Sequence, residues 1–280
     1  MNRATLQVLR CPEGCDSDLN LHTTQVDGAG EVLGGSIACS GCGGVYPIDR
    51  GIARMLQSSL RSNYQTEDNE IQCKHSEMKA RDDQAEHYDR IWWLNLFSRI
   101  EIPVTLALLK VNPQDRVLEA GCGTGRMTAD FANRCRHLVA ADYSWQSLLR
   151  CRQKITAGGI RNVDLIQADI CHLPLAKNAF DRVVSCQVLE HIPTPASRER
   201  AISELARVSS GGGRIVLSAY QYSIWMRLFN QREGQHDGGI YFYRFSRKEF
   251  QRLLSNKMHV HRITGALQYH FLAQCAADED

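Results

Sequence analysis

The sequence predicts an α/β protein with a doubly wound sheet, preceded by a small cysteine-rich N-terminal domain. Three observations support this prediction. A strand-like apolar run leads into a glycine-rich turn at residues 117–125, several further apolar runs each end near a polar or acidic residue, and four early cysteines form two close pairs. Alternating strand and helix patterns are typical of parallel sheets. A chain of 280 residues has room for one large and one small domain.

The glycine-rich turn reads Val-Leu-Glu-Ala-Gly-Cys-Gly-Thr-Gly at 117–125. It predicts a buried strand that turns tightly into a helix, with a ligand on the turn. Side chains at Gly121, Gly123 or Gly125 would block a ligand's approach to the backbone or exclude positive φ angles. Dinucleotide-binding turns have the spacing G-x-G-x-x-G and bind pyrophosphate, which the carboxylate of Glu119 would repel. The turn therefore favours a ligand that lacks phosphate and carries positive charge.

Further strand-like runs lead to polar residues that belong at the same edge of the sheet. The second run ends at Asp142, the third comes just before Asp169 and the fourth just before Gln187. These runs, with a fifth that follows a helical segment, span 137–141, 163–167, 181–186 and 214–219. Ligands of open α/β sheets bind beyond the carboxyl ends of the strands, so these residues should meet in one crevice. Asp142 stands where an acid can accept hydrogen bonds from both ribose hydroxyls.

Together these stretches resemble the class I S-adenosylmethionine-dependent methyltransferases of the small-molecule or ubiquinone type, with motif I at 117–125 and motif IV near Gln187. The resemblance implies S-adenosylmethionine as the cofactor. It also implies a Rossmann-like sheet of seven strands with the last one antiparallel, for which 259–263 and 267–273 supply strands six and seven. The residues expected to bind the cofactor are Tyr88, Glu119, Gly121, Gly123, Gly125, Asp142, Tyr143, Asp169, Ile170 and Gln187.

The resemblance assigns roles to some of these residues. Asp169 would accept a hydrogen bond from the exocyclic amine of adenine, while Ile170 packs on the ring. Tyr88 and Asp89, on a helix ahead of the first strand, would close over the cofactor.

His191 is the candidate general base, because it follows the fourth strand and histidine titrates near neutrality. Methyl transfer from a sulfonium has a neutral leaving group, so alignment of the acceptor and exclusion of water come first. A base is needed only where the acceptor loses a proton early. In the resembling family a Glu-His pair at this place is often architectural, and both roles stay open. His236 and Tyr222 are weaker candidates.

The close cysteine pairs predict a structural zinc site. They form C-x3-C and C-x2-C, separated by 23 residues, with ligands Cys11, Cys15, Cys39 and Cys42. Tetrahedral Zn²⁺ takes four thiolates from two such pairs, and four cysteine ligands leave no open catalytic position. A short domain cannot bury much core, so a metal would stabilise it. Asp27-Gly28 predicts a hairpin between the pairs. The alternative is four reduced cysteines without metal.

The flanks of these cysteines resemble a small zinc-ribbon family whose stand-alone members partner RNA and protein methyltransferases. The resemblance rests on Leu9-Arg10-Cys11-Pro12 and on the segment 39–56; the C-x3-C pair departs from the usual C-x2-C, which leaves the zinc rather than the fold in question. We expect a zinc-ribbon domain at 1–57, a linker and helix at 58–84, and a methyltransferase domain at 85–280 with a lid at about 220–245.

Local patterns predict several helices around this framework. The segment 85–97 has helical spacing of apolar residues, among which Trp92 and Trp93 are expected in the core, and a second helix is expected at 104–111. A capping box of Ser246 and Glu249 begins a last helix at 247–255.

The lid region is dense in aromatic side chains. They are Tyr220, Tyr222, Trp225, Phe229, Tyr241, Phe242, Tyr243 and Phe245. Such rings suit a planar or long apolar acceptor, such as an isoprenoid or lipid tail, or stacking on a flipped base. They also suit a small core within the lid itself, and the sequence does not separate the three.

Composition agrees with a folded protein of the cytoplasm. The chain is 43% hydrophobic with a mean hydropathy of −0.33, and no apolar run approaches the ~18 residues of a membrane span. No signal-peptide pattern follows the start, and the cysteines would stay reduced in a cytosol. A net charge of +2 does not favour nucleic acid, although a local basic patch remains open.

Three functions follow from the sequence. The leading hypothesis is methyl transfer to a small-molecule or lipid-like acceptor, with the ribbon as a stabilising or protein-docking module. The second is methylation of an rRNA or tRNA base, with RNA docking through ribbon arginines such as Arg3, Arg10, Arg50 and Arg54. The third is a non-catalytic partner or scaffold, against which the intact glycine turn and its acidic residues argue.

Overall fold

The computed structural model describes residues 1–61, 66–90, 92–228, 231–236, 238–266 and 269–277, without the side chains of 92–95 and 266. The helices are α1 Arg3–Leu6, α2 Ser58–Arg61, α3 Asn69–Gln84, α4 Trp92–Leu109, α5 Thr128–Ala132, α6 Trp145–Ala157, α7 Pro195–Val208, α8 Ile224–Leu228 and α9 Arg247–Ser255. The strands are β1 Leu19–Val26, β2 Val32–Cys39, β3 Val45–Asp49, β4 Ile52–Arg54, β5 Arg116–Ala120, β6 His137–Asp142, β7 Val163–Gln167, β8 Phe180–Ser185, β9 Ser209–Tyr220, β10 Glu233–Gln235, β11 Tyr241–Tyr243, β12 Met258–Ala266 and β13 His270–Ala277. Two 3₁₀ turns lie at Tyr88–Arg90 and Leu189–His191.

The C-terminal part contains a doubly wound sheet with the strand order β7-β6-β5-β8-β9-β13-β12. The pairs from β7 to β9 are parallel, and β13 runs antiparallel to both of its neighbours. One core packs the sheet against α7 and α9, and a second core packs its other face against α5 and α6. Every residue of β7 is buried, as expected for a parallel strand covered on both faces. The predicted Rossmann-like α/β fold with an antiparallel last strand is confirmed.

The sheet has eleven strands, so the prediction of seven was wrong. Strands β1 to β4 form an antiparallel meander, and β4 adds to the edge of β7 in parallel, with Ile52 opposite Leu165 and Arg54 opposite Gln167. Ile52 and Ala53 are fully buried in this contact. The pairing satisfies the backbone at an edge that would otherwise be exposed.

The first residues also contact the larger part of the sheet. Asp164 on β7 accepts hydrogen bonds from the Asn2 backbone N–H, the Thr5 hydroxyl and His137 Nε2. The Arg10 backbone N–H donates to the carbonyl of Pro174 at 2.8 Å. The boundary at residue 57 stays a prediction, although strands from both sides of it share one sheet.

The helices ahead of β5 differ from their predicted limits. The segment 85–97 is not one helix, because α3 ends at Gln84, a 3₁₀ turn follows and α4 begins at Trp92. The helix predicted at 104–111 is the end of α4, which continues through Pro103. Proline normally breaks a helix. Here Glu101 and Thr105, which flank Pro103 in the helix, are both buried. The Trp92 and Trp93 side chains lie outside the described residues.

The observed C-terminal helix and strands agree more closely with their predicted limits than the helices ahead of β5 do. The Ser246–Glu249 capping box is present at the start of α9. Strands β12 and β13 are longer than predicted, and β13 begins at His270. Of the helices that the structure describes, none has the length and apolarity needed to cross a bilayer.

Candidate functional site

A cavity of about 480 Å³ lies beyond the carboxyl ends of β5, β6, β7 and β8. Its volume is in the usual range for small-molecule sites. Nine of the ten residues predicted to bind the cofactor line it, namely Tyr88, Glu119, Gly121, Gly123, Asp142, Tyr143, Asp169, Ile170 and Gln187. His191 lines the cavity as well, whereas Gly125 does not. The crevice predicted from the strand ends is therefore a single cavity.

The three glycines of the turn have different surroundings. All have positive φ, at +82° for Gly121, +54° for Gly123 and +80° for Gly125. A Cβ on Gly121 would lie 2.2 Å from Val188 Cγ2, and one on Gly125 would lie 2.6 Å from Cys151 Sγ. A Cβ on Gly123 would meet nothing within 4 Å. Two glycines thus permit close packing of the turn, and Gly123 presents backbone to open space in the cavity.

Asp142 holds the turn from the end of β6. Its Oδ2 accepts a hydrogen bond from the Gly123 backbone N–H at 2.8 Å, and its Oδ1 accepts one from the Ser144 N–H at 2.9 Å. Burial raises the pKa of Asp142. Each oxygen keeps a second lone pair, so the carboxylate can also accept from ligand hydroxyls. Tyr143, the next residue, lines the cavity and accepts at its carbonyl from Gln167 Nε2.

Glu119 is a buried carboxyl at the end of β5. Thr128 Oγ1 donates to its Oε2 at 2.7 Å. Burial raises the pKa of Glu119 to about 8. Near neutrality the side chain is therefore mostly protonated, and a nearby positive charge would favour its ionised form.

Asp169, just after β7, also lines the cavity. It is paired with Lys74, a residue that the sequence did not single out. Its Oδ1 accepts from the Cys171 backbone N–H at 2.9 Å, and its Oδ2 lies 2.7 Å from Lys74 Nζ on α3. Lys74 also lies 3.2 Å from Glu70, one turn earlier. Any ligand that bonds Asp169 shares its carboxylate with this lysine. Ile170, beside it, supplies an apolar wall.

Gln187 belongs to a buried polar network. Its φ is +60°, and its Nε2 donates to Glu101 Oε2 on α4 at 2.6 Å. Arg126 in the glycine turn lies 2.9 Å from the same oxygen, and Ser218 at the end of β9 donates to Glu101 Oε1. Glu101 is 2% exposed. One carboxylate thus joins the loops after β5 and β8 to strand β9, and the sequence carried no local sign of this role.

Helix α3 forms a polar wall of the cavity, although the sequence indicated only a linker and helix there. Glu77 and Arg81 line the cavity and pair with each other at 3.0 Å. Asp82 accepts from the Ser144 hydroxyl and the Gln146 backbone N–H, so it fastens α3 to the start of α6. A sequence signal did exist, because Glu and its basic partner stand four residues apart twice in this helix.

Tyr88 and Asp89 lie in the 3₁₀ turn that follows α3. Tyr88 lines the cavity. Asp89 Oδ1 accepts from Thr124 Oγ1 at 2.8 Å and lies 2.7 Å from Lys154 Nζ. Asp89 thus contacts the glycine turn through Thr124, and closure of the pair over the cofactor stays a prediction.

His191 links the loop after β8 to the lid. Its Nδ1 lies 2.7 Å from the carbonyl of Tyr241, so Nδ1 carries the proton and Nε2 is the basic nitrogen. Burial lowers the pKa of His191 well below its usual range. His236 lies beside it, with ring centroids 6.0 Å apart. Tyr222 is not among the lining residues and instead faces Arg227 and Arg232.

Most of the described lid aromatics pack against other lid residues or against α7, α9 and β13. The Arg244 guanidinium lies 4.2 Å from the Phe242 ring, and that of Arg198 lies 4.3 Å from the Tyr243 ring. Phe245 is buried. Only Gln235, Gly239 and Tyr241 of the described lid residues line the cavity. These rings thus belong to a core that the lid shares with α7, α9 and β13, which is larger than the core predicted within the lid alone.

The four N-terminal cysteines converge outside this cavity. One ligand sulfur from each lies within 4.8 Å of every other, as expected for a shared metal, with Cys15 and Cys39 sulfurs 3.2 Å apart and Cys11 and Cys42 sulfurs 3.6 Å apart. The knuckles at 11–15 and 39–42 therefore face each other despite the three-residue spacing of the first.

Residues 118–217 match the family model described as a methyltransferase domain. Similar curated proteins include a phosphatidylethanolamine N-methyltransferase from Cereibacter sphaeroides, 36% identical over 103 residues, which are 36% of this chain and 49% of the relative. A demethylmenaquinone methyltransferase from Corynebacterium urealyticum is 31% identical over 132 residues, which are 47% of this chain and 49% of the relative. The chain thus matches about half the length of these relatives.

Solved structures share the fold. An S-adenosylmethionine-dependent methyltransferase from Clostridium acetobutylicum has a TM-score of 0.56 at 13% identity, covering 70% of this chain and 98% of that one. The N-methyltransferase NodS from Bradyrhizobium japonicum, in complex with S-adenosylhomocysteine, has a TM-score of 0.53 at 18% identity. The match covers 65% of this chain and 88% of that one. Residues 118–217 thus resemble a methyltransferase domain, and the chain shares the fold of these solved structures.

Proposed function

We propose that this chain is an S-adenosylmethionine-dependent methyltransferase whose acceptor is a small-molecule or lipid-like compound. The observation that carries the proposal is the Asp142 carboxylate, which binds the backbone of the glycine turn at the edge of a cavity sized for one small molecule. A pyrophosphate would meet two carboxyl groups there, Glu119 and Asp142. A ligand with ribose hydroxyls and a cationic end fits these groups.

We assign the parts of the cofactor to different residues of the cavity. Asp142 would accept from the ribose hydroxyls, and Asp169 with Ile170 would hold adenine. Glu119 and Gly123 lie where the amino-acid end would be placed. When bound, S-adenosylmethionine supplies an electrophilic methyl group on a sulfonium. The residues around it exclude water and align the acceptor.

We assign the acceptor to the side of the cavity formed by His191 and the lid. Gln235, Gly239 and Tyr241 line it there. His191 lines this side of the cavity, and its Nδ1 contacts the lid at the Tyr241 carbonyl. In the proposed reaction its Nε2 would take a proton from an acceptor that must lose one. The small-molecule or lipid-like class is supported by relatives named for a phospholipid and a quinone precursor.

The proposed reaction is tested by methyl transfer from radiolabelled S-adenosylmethionine into an extract of cells lacking this gene. We expect label in the organic-soluble fraction and none with Asp142→Ala protein. Ribonuclease-sensitive label would instead make the chain an RNA methyltransferase. No label in any fraction, together with measurable binding of S-adenosylhomocysteine, would indicate a scaffold or a missing partner.

We further propose that Cys11, Cys15, Cys39 and Cys42 hold one structural zinc ion. The donor set suits tetrahedral Zn²⁺, and the clustered sulfurs leave no position for water or substrate. Bound zinc would cross-link the two knuckles and stabilise a small domain.

Zinc content is expected to be about one ion per chain and to be lost in Cys39→Ser. Elemental analysis of protein purified without chelator measures it, and Cys73→Ser is the matched control because Cys73 is exposed and lies outside the cluster. Unfolding of the variant should begin at lower temperature, since the knuckles lose their cross-link. Metal-free wild-type protein would contradict the zinc site.

Affinity for S-adenosylhomocysteine is expected to rise with pH between pH 6.5 and 8.5. The pKa of Glu119 is raised to about 8, so binding of the ligand's ammonium group to the carboxylate releases a proton. The gain is roughly 25-fold over this window, in proportion to the ionised fraction of Glu119, and levels off above pH 8. Calorimetry in buffers of different ionisation enthalpy measures both affinity and proton release. In Glu119→Gln both effects should disappear, and a pH-independent wild type would contradict this role.

A further inference from the structure

Helix α8 projects apolar side chains from the lid. Ile224, Trp225 and Leu228 are 67%, 62% and 69% exposed, and they are the three most exposed large apolar side chains among the described residues. Positions i, i+1 and i+4 of a helix lie on one face. A single short helix therefore presents a contiguous apolar face to the surroundings.

This face is not an unfilled part of the lid core. Tyr220 and Phe245 are buried, and Phe242 lies under the Arg244 guanidinium. The lid thus closes its own core with other aromatic residues. The side chains of α8 are left for a contact outside it.

Arginines lie next to this face. Arg227 on α8 is exposed, and its guanidinium carbon lies 5.6 Å from the Tyr222 ring. Arg232 lies 5.7 Å from the same ring and pairs with Glu249. No Asp or Glu stands anywhere in residues 220–232. The apolar face is therefore bordered by an arginine within a segment free of acidic residues.

We infer that α8 docks onto a lipid bilayer with anionic phosphate headgroups. Tryptophan and aliphatic side chains beside arginine suit the boundary between headgroups and acyl chains, where arginine binds lipid phosphate. The three side chains expose far less than the about 800 Å² that each partner buries in a stable protein interface. A bilayer needs only a few inserted side chains, so it fits this face better than a second copy does.

The docking would serve the proposed reaction. Strands β10 and β11 follow α8 in the chain and contribute Gln235 and Tyr241 to the cavity wall. Docking would bring the acceptor side of the cavity toward the bilayer, where a lipid-like acceptor resides. This role in delivering the acceptor rests on the proposed function, whereas membrane binding itself does not.

Flotation with vesicles tests the inference. We expect the wild-type chain to float with phosphatidylethanolamine–phosphatidylglycerol vesicles, and the triple variant Ile224→Ser/Trp225→Ser/Leu228→Ser to lose about tenfold or more in partition coefficient. Arg227→Gln should lose about fivefold on these vesicles and little on neutral phosphatidylcholine. Val45→Ser is the control, because Val45 is 52% exposed on β3, far from the lid in sequence.

Binding of S-adenosylhomocysteine is measured on every variant to show that the fold is intact. A wild type that binds this ligand but does not float overturns the docking inference alone. A wild type that floats but does not bind the ligand leaves docking standing and overturns the proposed function. Equal flotation of the triple variant, or self-association that depends on α8 without flotation, would refute bilayer docking.

Discussion

Replacing Asp142 with alanine is expected to lower the affinity for S-adenosylhomocysteine by at least about a hundredfold. The carboxylate accepts hydrogen bonds from the Gly123 and Ser144 backbone N–H groups, and we propose that it also accepts from both ribose hydroxyls. Hydrogen bonds to a charged group contribute about 1.5–3 kcal/mol each, and the variant loses those of the ligand together with the support of the turn. Calorimetry or equilibrium dialysis measures the loss.

Asp130→Ala is the matched control for this variant. Asp130 lies on α5 just after the turn, but it is 42% exposed and pairs only loosely with Arg134 at 3.9 Å. We expect its affinity to stay within about twofold of wild type, as for other exposed ion pairs. Asp142→Asn keeps one acceptor oxygen, so its affinity for S-adenosylhomocysteine should lie between those of Asp142→Ala and Asp130→Ala. If Asp142→Ala binds like wild type, the assignment of the whole crevice fails.

Replacing Glu101 with alanine is expected to lower the free energy of unfolding by about 3–5 kcal/mol, because it leaves a buried cation without its partner. Glu101 is 2% exposed, lies 2.9 Å from Arg126 and accepts from Gln187 and Ser218. Denaturant unfolding measures the change. Cofactor affinity should fall as well, since Gln187 lines the cavity in a left-handed conformation that this bond supports.

A double variant separates the buried charge from the lost packing. Glu101→Met/Arg126→Met removes both charges and should recover much of the stability lost in Glu101→Ala, as apolar replacements of buried pairs do elsewhere. Glu199→Ala, on the exposed side of α7, should change the free energy of unfolding by less than about 0.5 kcal/mol. An unchanged stability of Glu101→Ala would show that the network does not hold the loops after β5 and β8 against β9.

The sequence was most informative where the signal is local. The turn at Gly121 to Gly125, with an acid before it and another at the end of the next strand, predicted both the α/β fold and the edge of the sheet that carries the cavity. Positive φ and close backbone packing leave few residue types possible at such turns. The Ser246–Glu249 capping box predicted the start of α9 for the same reason, since its partners lie three residues apart.

Prediction was poorer where the partners are distant in sequence. The pairing of β4 with β7 joins residues more than 110 positions apart, and no periodicity in either segment indicates it. The same holds for Lys74 with Asp169, 95 positions apart, and for Gln187 with Glu101, 86 positions apart. Helix α3 is strongly polar and has no buried residue, so it resembled a linker although it forms a wall of the cavity.

By itself, the sequence determined the class of fold, the glycine turn, the acidic strand ends and the two cysteine pairs, because backbone sterics and metal-ligand spacing act over a few residues. Only the tertiary structure decided that one sheet runs through eleven strands of the described chain and that α3 lines the cavity. It also decided that Glu101 joins distant loops, and that most lid rings pack on arginines while α8 faces outward. These features depend on which distant surfaces are buried together. The free energy of burial depends on the contact between those surfaces and on no single segment.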